Sequence, residues 1–323
     1  MRLDSGRHDN VLGTGHMVFD TTVITPECAT ELLRRFLHPD VSVTGIRRLH
    51  GGMINSVLEL ATDSEPRLVV AKLSGKPGNA AFQHEFRVLD WYRRNTDFPV
   101  PLPYGCDVSG GTFSGSALFM ERLPGTNLGH AHLNRAQTDS VERNMAPVIA
   151  RLHKHRRATY GSALEPAEQG QRRWLDEFGP NIRSEFGAVA DRLSASARAT
   201  IAHRLDRLED WLPEFGEPTL VHGDLWATNI MVDPETACVT GFVDGGANYA
   251  EVEFELAYLL VFNTAGRAFF EAYSRLHPLR PDFRSRCRIY WLNTMMLHVR
   301  VFGDAQYADA CERLAREIAA IGG

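Results

Sequence analysis

The sequence predicts an α+β chain of two lobes, with a small antiparallel sheet first and a mainly helical lobe after it. Short runs rich in Val, Leu and Ile, broken by turn residues, fill the stretch from Val41 to Leu73 and return between Tyr104 and Leu123. Beyond Pro124-Gly125, apolar residues recur at helical spacing instead. The length agrees, since 323 residues with 44% hydrophobic content suit two domains or one large unit of two lobes.

Residues 1–17 carry Arg2, Asp4, Arg7, His8 and Asp9 without the continuous apolar stretch of a secretory signal, so a loose leader is expected there. Thr25 is placed to cap a helix opened by Pro26, in which Ala29, Leu32, Leu33, Phe36 and Leu37 share a face before Pro39. Three antiparallel strands then run from Val41 to Leu73, broken at Gly51-Gly52 and at Asp63-Ser64-Glu65-Pro66. Ala80 to Arg94 reads as a helix with Phe82, Phe86, Leu89 and Arg93 on one face and Glu85 beside them. Tyr104 to Asp107 and Ser116 to Leu123 form a further strand pair around Gly110-Gly111, which sets the first lobe at 18–123 and the second at 124–323.

In the second lobe, Thr138 to Arg157 forms a helix through Val141, Met145, Val148, Ile149 and Leu152, and Leu175 to Trp211 holds more amphipathic segments. Four helices close the chain, at Phe254 to Phe262, Arg267 to Leu276, Phe283 to Phe302 and Ala305 to Ile321. A hairpin precedes them: Asn229 to Val232 and Cys238 to Val243, joined at Asp233-Pro234-Glu235-Thr236.

Thirty-five Lys and Arg against 40 Asp and Glu give a net charge of −5, which offers no electrostatic ground for a nucleic-acid or anionic-membrane partner. No apolar run reaches the roughly 20 residues that span a bilayer, so a cytoplasmic location is expected. The five cysteines form no C-x-x-C pair and are expected as reduced thiols. His130 with His132, and His153 with His155, stand two apart and do not face each other on a helix, which argues against metal binding; His153 is expected as a packed helix-end residue with its hydrogen bond satisfied.

The chemistry concentrates at His222-Gly223-Asp224-Leu225-Trp226-Ala227-Thr228-Asn229, which has the H-x-D-L-x-x-x-N spacing of a kinase catalytic loop, with Asp244 following across the hairpin. Phosphoryl transfer needs one group to orient and deprotonate the acceptor and others to hold magnesium. Asp224 is the expected base, and the Asn229 amide oxygen and Asp244 carboxylate are hard ligands suited to Mg2+. Asp and Asn also serve as caps in turn-rich loops. The order of the other parts favours the chemical reading. Lys72 ends a strand from Arg67, where it can meet the α and β phosphates of ATP, and Glu85 on the next helix is its counter-ion. Gly51, Gly52 and Asn55, one strand earlier, can bring backbone N–H groups to phosphate, although paired glycines also make plain hairpin turns. Backbone groups near Glu121 and Leu123 are the expected adenine hinge, and Trp226 can offer an aromatic face to a small-molecule acceptor. These parts imply a protein-kinase-like fold.

At these residues the chain resembles the aminoglycoside phosphotransferase superfamily and, within it, the fructosamine (ketosamine) kinase family. The similarity rests on the His-Gly-Asp-Leu-Trp loop, on Gly51-Gly52 with Asn55, and on the run from Tyr290 to Tyr307 with His298, Phe302-Gly303 and Tyr307, and it extends from about Val41 to the C-terminus. It implies the same roles for Asp224, Asn229 and Asp244. Glu251 and Glu255-Leu256-Ala257 are similar to the family's Asp-x-x-x-Asp-Leu-Ala ending, which makes these acids candidates for substrate contact; acids one turn apart on one helix face also occur as surface charge. Met53 stands where many relatives carry cysteine, Gly245-Gly246 after Asp244 is unusual for the family, and the segment from Tyr160 to Phe178 lacks the Asn-Tyr-Ile-Gly pattern. The resemblance implies an ATP-dependent kinase acting on a hydroxyl of a fructosamine, with an aminoglycoside or other antibiotic as the alternative acceptor. A catalytically inactive pseudokinase is the reading from another class; its mark, loss of a polar site residue, is missing here.

Overall fold

The computed structural model describes residues 22–49, 55–212, 214 and 216–321; the leader, Gly51 and Gly52 lie outside them. Helix α1 (Pro26–Phe36) starts where Thr25 accepts the Cys28 N–H at 3.2 Å. Strands β1 (Val43–Arg48), β2 (Ser56–Thr62), β3 (Leu68–Ser74), β4 (Pro103–Asp107) and β5 (Ser116–Glu121) form one antiparallel sheet in the order β1-β2-β3-β5-β4. Alternation along β5 explains how the sheet is used. Ala117 and Phe119 point to a small core with the α1 leucines, while Leu118 and Met120 point the other way, to Phe82, Val88, Leu89 and Tyr92 of helix α2 (Ala80–Asn95). The second face is continuous with the core of the helical lobe.

Beyond β6 (Thr126–Asn127) the chain becomes helical: α3 (Arg135–Leu152), α4 (Trp174–Val189) and α5 (Ala195–Asp206), with the two-residue strand β7 (Gly161–Ser162) between the first two. Helix α3 begins three residues ahead of the expected Thr138, because Asn134 and Gln137 cap each other reciprocally. It also stops at Leu152, short of Arg157. The backbone there turns to pair with strand β8 (Thr219–Val221) and its approach, through Leu220 N–H to the His155 carbonyl and Arg157 N–H to the Pro218 carbonyl.

The expected hairpin is β9 (Ile230–Asp233) with β10 (Cys238–Phe242), and β6 adds a third strand to it. A second small sheet, β7-β11-β8, uses β11 (Asn248–Ala250) and has no counterpart in the sequence expectation. Helices α6 (Val252–Val261), α7 (Arg267–Leu276), α8 (Phe283–Phe302) and α9 (Ala305–Ile321) complete the chain close to their expected bounds. The two halves are joined through α2: the buried Tyr92 donates its hydroxyl to the Val221 carbonyl at 3.2 Å, and Trp91 meets Tyr249 edge-on. Phe98, just past α2, stacks on Phe242 with ring centroids 4.6 Å apart.

Candidate active site

The buried strand β8 delivers the chain into the loop that starts at His222. Gly223 follows with φ +87, a conformation that favours glycine, and its N–H donates to Glu255 Oε2 at 2.6 Å. His222 is fully buried, and burial holds its pKa below the ordinary value. Its Nδ1 accepts the Asp224 N–H at 3.3 Å, so the ring proton sits on Nε2, which is buried without a hydrogen-bond partner among the described residues.

Asp224 is held from both sides. Its Oδ2 accepts from Asn229 Nδ2 at 2.8 Å, and its Oδ1 accepts the Tyr258 hydroxyl at 2.5 Å. Burial raises the carboxyl's pKa while the Tyr258 bond opposes the rise. Asn229 lies in the short 3-10 turn that leads into β9, and its Nδ2 also donates to the Asp224 carbonyl at 3.0 Å. With the amide nitrogen committed to Asp224, Asn229 Oδ1 is left as an acceptor for a cation.

Asp244 follows β10 with φ +61, and the turn carries its carboxylate against Lys72 Nζ. Lys72, on β3, also donates to Glu85 Oε1 of α2 at 2.7 Å. Burial works against the Lys72 charge, but the Asp244 and Glu85 carboxylates outweigh it and hold the pKa above its ordinary value. Glu85 is raised by burial and by Asp244, despite the ammonium beside it. The Val243 N–H to Asn229 carbonyl bond, 2.9 Å, links the two metal-ligand candidates through the backbone. Asp224, Asn229, Asp244, Lys72 and Glu85 therefore converge from the loop, the hairpin, the sheet and α2.

Gly245 fits only because it lacks a side chain, since a Cβ there would lie 2.9 Å from His222 Cδ2 and 3.3 Å from Tyr92 Cε2. Gly245→Ala is expected to destabilise the fold by about 1–3 kcal/mol through this overpacking. An unchanged midpoint in chemical denaturation would contradict the close approach.

The other predicted residues distribute less evenly. Asn55 is half-buried just before β2, and Glu121 ends β5, where its Oε2 accepts the Leu102 N–H at 3.0 Å and its own N–H donates to the Leu102 carbonyl at 2.8 Å. Leu123 is buried, and among the described residues its N–H has no hydrogen-bond partner. Trp226 is half-buried on the loop itself.

Glu251 and Glu255 correct the expectation of substrate-facing acids. Glu255 is 1% exposed, with Oε1 on His153 Nε2 at 2.9 Å and Oε2 on the Gly223 N–H. His153 is satisfied at both nitrogens, its Nδ1 meeting the Tyr273 hydroxyl at 2.7 Å. Glu251 is 4% exposed and paired with Arg280 at 2.8 Å. Both carboxylates are spent inside the protein, because α6 is buried on nearly every side. The signal was in the text: Phe254-Glu255-Leu256-Ala257-Tyr258-Leu259-Leu260-Val261 has apolar residues all around the helix, a pattern of burial.

Sequence reasoning passed over Tyr258. It stands three residues after Glu255 on α6, next to Asp224, and heads a series of half-buried rings. Tyr258 meets Phe262 at 5.0 Å between centroids, Phe262 meets His298 at 5.2 Å, and His298 meets Tyr307 at 4.9 Å.

Comparison with known proteins covers the same span. The model of the fructosamine kinase family matches residues 27–320. The chain is 26% identical over 286 residues to the chloroplastic protein-ribulosamine 3-kinase of Oryza sativa subsp. indica, covering 83% of this chain and 77% of that protein. It is 25% identical over 283 residues to the ketosamine-3-kinase of Mus musculus, covering 79% of this chain and 88% of that one. Among solved structures, a candidate fructosamine-3-kinase from Haemophilus somnus 129PT superposes with a TM-score of 0.72 at 19% identity, over 90% of this chain and 96% of the other. A thermostable mutant of aminoglycoside phosphotransferase APH(4)-Ia, in ternary complex with AMP-PNP and hygromycin B, gives 0.63 at 18% identity over 89% and 97%. These neighbours have the protein-kinase-like fold that the sheet and helices build here, and with a family match running nearly from end to end, the chain belongs to the fructosamine kinase family.

Proposed function

We propose that this chain transfers the γ-phosphoryl group of ATP to a hydroxyl of a ketosamine, a sugar carrying an amine substituent, with Asp224 as the base. The observation that carries the reading is the Asp224 carboxylate, fixed from two sides within a constellation that also holds Asn229, Asp244 and the Lys72–Glu85 pair. The acceptor alcohol donates its proton to Asp224 as its oxygen forms the new bond to the γ-phosphorus, and the bond from that phosphorus to the β-γ bridging oxygen breaks to release ADP. Lys72, oriented by Glu85, neutralises the α and β phosphates.

Asn229 Oδ1 and the Asp244 carboxylate fit Mg2+ as hard oxygen donors on either side of one backbone hydrogen bond. When bound there, the ion supplies charge neutralisation to the phosphates. The Leu123 N–H and the backbone at Glu121 are assigned to adenine, and Asn55 with Gly51 and Gly52 to the phosphates. Residues 18–123 then act as the nucleotide lobe and 124–323 as the catalytic and acceptor lobe, with Trp226 beside the sugar. The cysteines among the described residues are free thiols, which suits the reducing cytoplasm assigned here.

The experiment is incubation with ATP and Mg2+ and either fructoselysine or ribuloselysine, read by mass spectrometry. One added phosphoryl group per acceptor is expected, with no product when Mg2+ is chelated. Phosphorylation of an aminoglycoside and of neither ketosamine would reverse the assignment. Glu251 and Glu255, the acids a cationic antibiotic would need, are paired in the interior and lend that second reading no support.

A further inference from the structure

We propose that Tyr258 is a positioning residue for the reaction, holding the Asp224 carboxylate in the orientation from which it takes the acceptor's proton. The inference rests on the assignment of Asp224 as base.

A carboxylate on a single Cβ turns about its last torsion, which has a broad and shallow profile. Fixing the plane takes a donor on each oxygen. Asn229 provides one, on Oδ2 at 2.8 Å, but its nitrogen is shared with the Asp224 carbonyl. Tyr258 provides the other, on Oδ1 at 2.5 Å, with the short separation of a bond to an ionised acceptor. Asp224 and Asn229 lie on one loop, so without Tyr258 the base would be oriented only by its own neighbours in sequence. Tyr258 instead ties it to α6, the helix that also anchors the loop through Glu255 and the Gly223 N–H.

The phenol is itself well fixed. Its ring packs edge-on against Phe262, which packs on His298, and His298 contacts both Phe302 and Tyr307. This row joins α6, α8 and α9. An aromatic side chain with few torsions and a packed ring can hold a hydroxyl in place at small entropic cost. A phenylalanine would keep the packing and lose only the donor.

The test compares the wild type with Tyr258→Phe and Asp224→Asn, following ADP release with ATP and Mg2+ in the presence and absence of fructoselysine. Tyr258→Phe is expected to lower kcat roughly 10- to 100-fold, the range for losing one hydrogen bond to a charged group, with KM for ATP within about twofold of the wild type. The melting midpoint should be close to that of the wild type. Basal hydrolysis, in which water replaces the alcohol, should fall in the same proportion, which makes the comparison independent of the acceptor. A kcat within twofold of the wild type would overturn the proposal, as would a loss carried by KM for ATP instead of kcat. If Asp224→Asn retained full turnover, the base assignment would fail first; an inactive Asp224→Asn beside a fully active Tyr258→Phe would remove the positioning role alone.

Discussion

Asp224→Asn is expected to lower turnover by roughly 10²–10⁴ while ATP continues to bind with near-normal affinity. The amide has the size of the carboxylate and cannot accept the acceptor's proton. Lys72 on β3, Glu85 on α2 and Asp244 after β10 lie on other elements and contact one another without Asp224, and Asn229, on the same loop, keeps its bond to the backbone carbonyl of residue 224 in the variant. Chemistry and binding should therefore separate. Rapid-quench measurement of phosphoryl transfer beside equilibrium titration with a nucleotide analogue gives the two quantities independently. A variant that turns over normally would remove Asp224 from the mechanism, and one that loses nucleotide affinity in step with turnover would make it a structural residue.

Glu255→Ala should have the largest effect on stability, about 2–5 kcal/mol, from the desolvation cost of two donors left without their acceptor in a dry interior. Those donors are the Gly223 N–H and the His153 ring. The carboxylate lies between the loop that carries Asp224 on one side and, through His153 and Tyr273, helices α3 and α7 on the other. Its loss should also lower turnover, because Gly223 directly precedes Asp224. Glu255→Gln keeps the volume and one acceptor oxygen, so a smaller loss is expected from it. Chemical denaturation monitored by tryptophan fluorescence would measure both variants. If Glu255→Ala unfolded at the wild-type midpoint, the buried network would have no mechanical role.

The fold was legible in the sequence wherever one local signal decided the outcome. Thr25 and Pro26 define the start of α1, and the short apolar run Ala117 to Met120, bounded by Gly115 and by Glu121-Arg122, identifies β5. The H-x-D-L-x-x-x-N spacing brought Asp224 and Asn229 to the same loop before any contact was known. Pairings between distant, very short strands were not legible. β7, β8 and β11 have two or three residues each, too few for a period to register, and they exist because their backbones complete one another. Orientation was the other limit. Glu251 and Glu255 read as a pair of acids on a helix face, yet the helix is enclosed and both find partners inside. Tyr258 shares that helix, where a tyrosine reads as packing material, and only the folded chain brings its hydroxyl to Asp224.

The attachment of α2 bears on control. Kinases of this architecture are often idled by swinging the glutamate-bearing helix outward, which parts the lysine from its counter-ion. Here that swing would have to pull Tyr92 out of the interior, detach its hydroxyl from Val221 and lift Trp91 off Tyr249. The burial of an aromatic side chain alone opposes such a movement by about 1.5–3 kcal/mol. Helix α2 is thereby pinned to the second lobe, and the same attachment keeps Glu85 within reach of Lys72.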